Sequence, residues 1–181
     1  MARSKKKSKT KAKKPAKVSK VHPNSDGALR QELAGLLEKS HAHVSLKPAL
    51  AAVPVEIRGV TPAGAPHSLW QLLEHLRIAQ WDILEFSRDS KHVSPDWPSG
   101  YWPAAGAPPS DREWEKSLHA FEHELSEFRK LVLDPKTDLF AKIPHGTGQT
   151  ILREALLLAD HNAYHIGQFV VVRRLLGAWH E

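Results

Sequence analysis

The chain has no cysteine among its 181 residues. That excludes disulfides, zinc–thiolate clusters and a cysteine nucleophile. Any metal must then be held by nitrogen and oxygen ligands. No apolar run approaches the ~18 residues that would read as a membrane span. The basic start is not followed by an apolar segment, so it does not read as a secretory signal. There is no internal repeat and no convincing strand pattern. Acids are missing altogether from residues 1–20, which hold nine lysines and Arg3. Without those ten residues, the 26 basic residues fall to 16, against 20 acids. The net charge of +6 therefore divides into a strongly basic arm and a mildly acidic body. This split argues against a nucleic-acid-binding body. Residues 1–24 are expected to form a disordered Lys-rich arm with weak nucleic-acid or polyanion contact through residues 1–20. The expected compartment is the cytoplasm.

The remainder, residues 25–181, is long enough for one domain with a sizeable core. Its pattern is helical. A first helix is expected from a Ser25-Asp26 cap to about Lys39, with Leu29, Leu33, Leu36 and Leu37 at helical spacing. Residues 41–66 carry four prolines and leave room for one short helix near 46–52. A second long helix is expected from about His67 to Arg88. Its broad apolar face is Leu69, Leu72, Leu73, Leu76, Ala79, Ile83 and Phe86. Residues 90–110 form a long, proline-rich loop whose aromatic segment 97–103 either covers a pocket mouth or packs against the body. It is long enough to cross the end of a bundle. A third helix follows a Ser110 or Asp111 cap and is ended by Pro135. Trp114, Leu118, Phe121, Leu125, Phe128 and Val132 repeat along it at 4-3-4-3-4 spacing. A fourth starts near Thr150 and stops at Gly177. It is apolar almost all round, which marks a buried helix. The fold class is all-α: a four-helix bundle with a long crossover loop between helices two and three.

Twelve histidines supply nitrogen, and helical phase sorts two pairs of them. His119 and His123 lie opposite the apolar stripe of the third helix and should face water. His161 and His165 lie one turn apart on the fourth helix. They share a narrow polar stripe with Glu154 and Gln168 in otherwise apolar surroundings. Buried groups of this kind need partners. Spacing alone leaves two readings open: core histidines bonded to neighbouring helices, or half of a transition-metal site. His75 sits at the edge of the apolar face of the second helix, flanked by Gln71 and Asp82, and is either a core residue or a third ligand. Polar stripes on two buried helices are most readily satisfied by facing each other.

The segments Ser68-Leu69-Trp70-Gln71-Leu72-Leu73-Glu74-His75-Leu76 and Asp160-His161-Asn162-Ala163-Tyr164-His165-Ile166-Gly167-Gln168 resemble the two signature stretches of the DinB/YfiT-like superfamily of metalloenzymes. The likeness covers roughly residues 26–178, including helix order and the distance between motifs. The basic arm is not part of the family pattern. The resemblance implies a bundle holding one divalent metal ion (Zn, Ni or Fe) through His75, His161 and His165. It further implies a small-molecule substrate, a low-molecular-weight thiol in some members, and a homodimer.

Three neutral imidazoles leave a divalent ion with open positions, which is a catalytic rather than a closed structural type of site. The second nitrogen of each ring needs an acceptor. Gln71, Asp82, Glu154 and Asp160 are the candidates, with Asp82 or Glu154 also candidates for a general base. Gln168, one turn beyond His165, is a candidate for orienting a bound water. His67 reads as a helix-end residue. The expected function is metal-dependent hydrolysis or thiol-dependent transfer, the thiol arriving as a cosubstrate. The alternatives are a non-catalytic metal- or ligand-binding stress-response bundle, or a polyanion-binding accessory acting through its arm.

Overall fold

The computed structural model describes residues 25–39 and 42–179. The expected basic arm lies outside them. Among them five α-helices follow in order: α1 (Ser25–Glu38), α2 (Leu46–Leu50), α3 (Leu69–Arg88), α4 (Asp111–Leu133) and α5 (Ile151–Leu175). Among the described residues there is no β-strand element, only one isolated bridge between Lys142 and Thr150.

Local chemistry sets the helix starts. Ser68 accepts from the Gln71 amide N–H, and Gln71 Oε1 accepts from the Ser68 N–H, a reciprocal capping box. Ser110 and Thr150 cap α4 and α5 through their hydroxyl oxygens. Such caps are worth about 1 kcal/mol each. Beyond the end of α5, Gly177 takes φ +68°, a left-handed turn open to glycine at little cost.

The long α1, α3, α4 and α5 make the bundle. Trp70 faces Trp114 and Gln80 reaches Phe121, so α3 and α4 run side by side in the same direction. The connection between them must therefore travel the length of α3, and it is pinned on the way. Ser68 Oγ donates to the Gly106 carbonyl, and Arg58 pairs with Asp111. Gly59 lets the loop lie flat: a Cβ there would stand 2.3 Å from the Ala107 Cβ. At the far end Arg30 of α1 is buried and donates to the carbonyls of Val132, Asp134 and Thr137 at 2.8, 2.9 and 2.7 Å. It thereby satisfies the open C-terminus of α4.

The core falls into two apolar halves. One gathers Leu33, Leu84, Phe128, Leu139, Ala155 and Leu158. The other gathers Leu69, Trp70, Leu73, Trp114, Phe169 and Val172. Between them on α3 and α5 lie His75, Gln80, Asn162 and His165, all buried. Each fully buried Phe or Leu contributes about 2–3 kcal/mol. The two halves so hold a polar middle layer whose desolvation is unfavourable on its own.

One expectation is corrected. α5 is not covered all round. Leu156, Leu157, Tyr164, Val171 and Leu175 are exposed. Its apolar side chains exceed what one bundle face can bury, because α5 packs against its neighbours on one side only. No helix among the described residues is long and apolar enough to cross a membrane.

Candidate metal centre

Helical phase brings three imidazoles together in the middle layer. His75 projects from α3, and His161 and His165 project from α5, one turn apart. His75 Nε2 stands 3.1 Å from His165 Nε2 and 3.1 Å from His161 Nε2. The three ligand atoms lie within 4.8 Å of one another. Burial lowers the pKa of all three rings, since a charged ring is poorly solvated there. His161 and His165 are pushed down to about 4, by burial first and then by the neighbouring histidines. The cluster is therefore neutral at pH 7.

A family model of the DinB superfamily matches residues 29–169, a span that takes in all three histidines. The chain belongs to the DinB superfamily. No curated protein and no solved structure matches it.

Whether an ion suits this DinB centre is decided by the second ring nitrogens. His75 Nδ1 faces the Tyr101 carbonyl at 2.9 Å. A carbonyl only accepts, so Nδ1 carries the proton and Nε2 keeps its lone pair. His165 Nδ1 faces Gln168 Oε1 at 2.8 Å, with the same consequence. Lone pairs are thus turned on one another at 3.1 Å, which is repulsive without a cation between them. Imidazole nitrogens about 2.0–2.1 Å from one ion stand roughly 2.9 Å apart at octahedral angles and 3.4 Å at tetrahedral ones. The 3.1 Å from His75 to each of the other two falls in that range, and the three residues fit a divalent ion.

The aromatic loop forms one wall. Trp102 lies flat on His75, with ring centroids 3.9 Å apart and planes 1° from parallel. Its other face stacks on His67, also at 3.9 Å. Tyr101 donates from its hydroxyl to Asp82 Oδ2 at 2.6 Å, and His92 Nε2 stands 2.7 Å from Asp82 Oδ1. A cavity of about 280 Å³ opens over the three histidines. Ala79, Ile83, Trp97 and Leu157 give it apolar walls, and Asp82 and Tyr101 a polar edge.

The other candidates separate. Gln168 holds His165, so its partner is a ring nitrogen. Asp82 lies at the cavity wall, engaged by Tyr101 and His92. Gln71 is spent on the α3 cap and reaches no imidazole. Glu154 is buried two turns before His161 and accepts from Arg153 at 2.7 Å. Asp160 is exposed, on the side of α5 away from the cluster. His119 and His123 are exposed. His67, expected only as a helix-end residue, packs on Trp102. Sequence reasoning placed Tyr101 and Trp102 only within an aromatic loop that covers a pocket mouth or packs against the body, and it missed Gln80 and Asn162. Tyr101 acts through a backbone carbonyl, which no side-chain pattern reveals. Gln80 and Asn162 did carry a signal, as amides on faces otherwise apolar.

Proposed function

We propose that this DinB domain is a metal-dependent enzyme acting on a small molecule, by hydrolysis or by transfer to an external thiol. The carrying observation is the convergence of the Nε2 atoms of three neutral imidazoles at the floor of an apolar cavity. His75, His161 and His165 would hold the ion, which when bound supplies Lewis acidity toward an oxygen or sulfur donor of the substrate.

The chain's own groups do the rest. Ala79, Ile83, Trp97 and Leu157 exclude water from the apolar body of a ligand. Asp82 presents a carboxylate at the wall, where it can take a proton from a substrate hydroxyl or thiol. Its two oxygens are held in place by Tyr101 and His92. Tyr101 is itself kept protonated, its pKa raised to about 12 by burial and by the Asp82 carboxylate. It stays a hydrogen-bond donor at every physiological pH. With no cysteine in the chain, a thiol nucleophile must come from solution.

The test loads the protein with zinc, nickel or iron(II). Ester, amide and thiol-transfer substrates are then screened with and without a low-molecular-weight thiol. Turnover that requires the ion and disappears in His161→Ala supports the proposal. A chain that takes up no ion, or turnover that survives His161→Ala, overturns it. Stoichiometric metal without turnover on any class reassigns the domain to metal or ligand binding.

A further inference from the structure

The cavity over the three histidines is one-sided in its chemistry. Among the described residues that line it there is no lysine and no arginine, and its one carboxylate is Asp82. Neighbouring arginines are committed elsewhere: Arg77 to Glu74 at 2.8 Å, Arg88 to Glu85 at 2.6 Å and Arg153 to Glu154 at 2.7 Å. Donors are as scarce. Tyr101 gives its hydroxyl proton to Asp82, His75 faces the Tyr101 carbonyl through Nδ1, and His165 faces Gln168 through Nδ1. What remains on offer to a ligand is chiefly acceptor. A carboxylate has about four lone-pair positions. Tyr101 and His92 each occupy one on Asp82, so capacity is left for a donor from the ligand.

The mouth of the cavity is aromatic, and its two tryptophans are used differently. Trp102 has both faces covered, by His67 and by His75. Trp97 lines the cavity yet is 77 % exposed, and it meets Tyr101 only at a steep angle, 64° between the planes. A single exposed apolar side chain is ordinary on its own. An uncovered indole at the rim of a cavity is also a stacking surface for a flat ligand.

We infer that this cavity takes a compact, flat, apolar molecule with one hydroxyl or thiol head, and refuses a molecule that carries a negative charge on its body. The inference rests on the reading of this cavity as the substrate site and names the class of substrate. The head donates to Asp82, and the ring lies against Trp97. A carboxylate on the body would enter apolar surroundings with no cation to pair it and with Asp82 at the same wall, and both effects oppose it. A cationic head gains from Asp82 but loses from an ion in the same cavity. By the same charge count, a thiol cosubstrate for this site is an apolar one, not one that carries several carboxylates.

The test is a binding series on metal-free protein at pH 7.5. Ligands are titrated to millimolar concentration in ¹³C-methyl spectra, with Ile83 and Leu157 as reporters of the cavity. Benzyl alcohol is expected to shift both. Benzyl methyl ether, which cannot donate, is expected to bind about fivefold more weakly. 4-(Hydroxymethyl)benzoate, the same alcohol with a carboxylate added, is expected to bind at least about tenfold more weakly. Trp97→Ala, a change at the exposed rim, should keep the fold and weaken benzyl alcohol about fivefold. Asp82→Asn should narrow the gap between alcohol and carboxylate to about threefold, a charge effect that a mere change of cavity shape does not produce. A carboxylate that binds as well as the alcohol, or no shift at Ile83 and Leu157 with any probe, overturns the inference. So does unchanged binding of benzyl alcohol to Trp97→Ala, or an unchanged gap in folded Asp82→Asn. Zinc uptake is scored separately. A chain that takes up no ion sinks the metal-dependent reading, while the ranking of the probes still decides the class of ligand.

Discussion

Trp102→Ala should weaken metal binding without removing any ligand. The indole lies flat on His75 and sandwiches itself against His67, both at 3.9 Å. Each stacked pair is worth about 0.5–1.5 kcal/mol beyond the area it buries. The His75 stack matters for the ion, because together with the Tyr101 carbonyl at Nδ1 it restrains rotation of the ring. Losing that restraint should lower zinc affinity about five- to twentyfold, or roughly 1–1.8 kcal/mol. Folding should suffer separately. A fully buried Trp→Ala change costs about 3–5 kcal/mol, and Trp102 is only half-buried, so about 2 kcal/mol is expected. For a chain of this length that is a fall in Tm of about 4–8 °C. Competition titration at pH 7.5 reads the first effect, and thermal melting in chelator reads the second. Trp102→Phe keeps a stacking face and should bind within about threefold of the wild type. A folded Trp102→Ala protein with unchanged affinity would refute the claim that the loop orients the site.

Two further predictions concern stability. Burial holds His161 and His165 at about 4 in the fold, against 6.5 for a solvated ring, and lowers His75 as well. Below pH 6.5 the unfolded chain takes up protons that the folded chain refuses. Stability of the metal-free protein should therefore be full above pH 6.5 and fall as pH drops toward 4. Urea midpoints at pH 7.5 and pH 5 test this, and the same drop in a folded His161→Ala, His165→Ala double variant would contradict it. Arg30→Met should cost about 3 kcal/mol, because three carbonyls at the end of α4 lose their donor. Asp26→Ala, which removes only an exposed partner of Arg30, should change stability by less than about 1 kcal/mol. Equal losses in these two variants, measured by chemical denaturation, would show that the carbonyl clamp is not what holds α1 to α4.

The sequence was most legible where the physics is local. The Ser110 and Thr150 caps, the stop at Pro135 and the stripe from Trp114 to Val132 depend on residues a few positions apart, and α4 and α5 begin where those signals stand. Gln71 could also have been placed, since Ser68-x-x-Gln71 is itself a capping-box spacing. Other features depend on what lies across the bundle. The apolar richness of α5 does not say which side has neighbours, so its exposed Leu157, Tyr164 and Val171 were not foreseen. Convergence of His75 with His161 and His165 could be argued from polar stripes seeking partners, but their spacing could not. The acceptor for His75 is a loop carbonyl 26 residues away. Its identity follows from the path of the crossover, not from any side-chain pattern.

The central claim is that three histidines share one ion, and metal content tests it most directly. Tagless protein, stripped with chelator and reloaded, should carry one zinc, nickel or iron(II) ion per chain by elemental analysis after gel filtration. His75→Ala, His161→Ala and His165→Ala should each lose it while keeping their helical spectra. A wild type that emerges without metal, or single variants that retain it in full, would contradict the account.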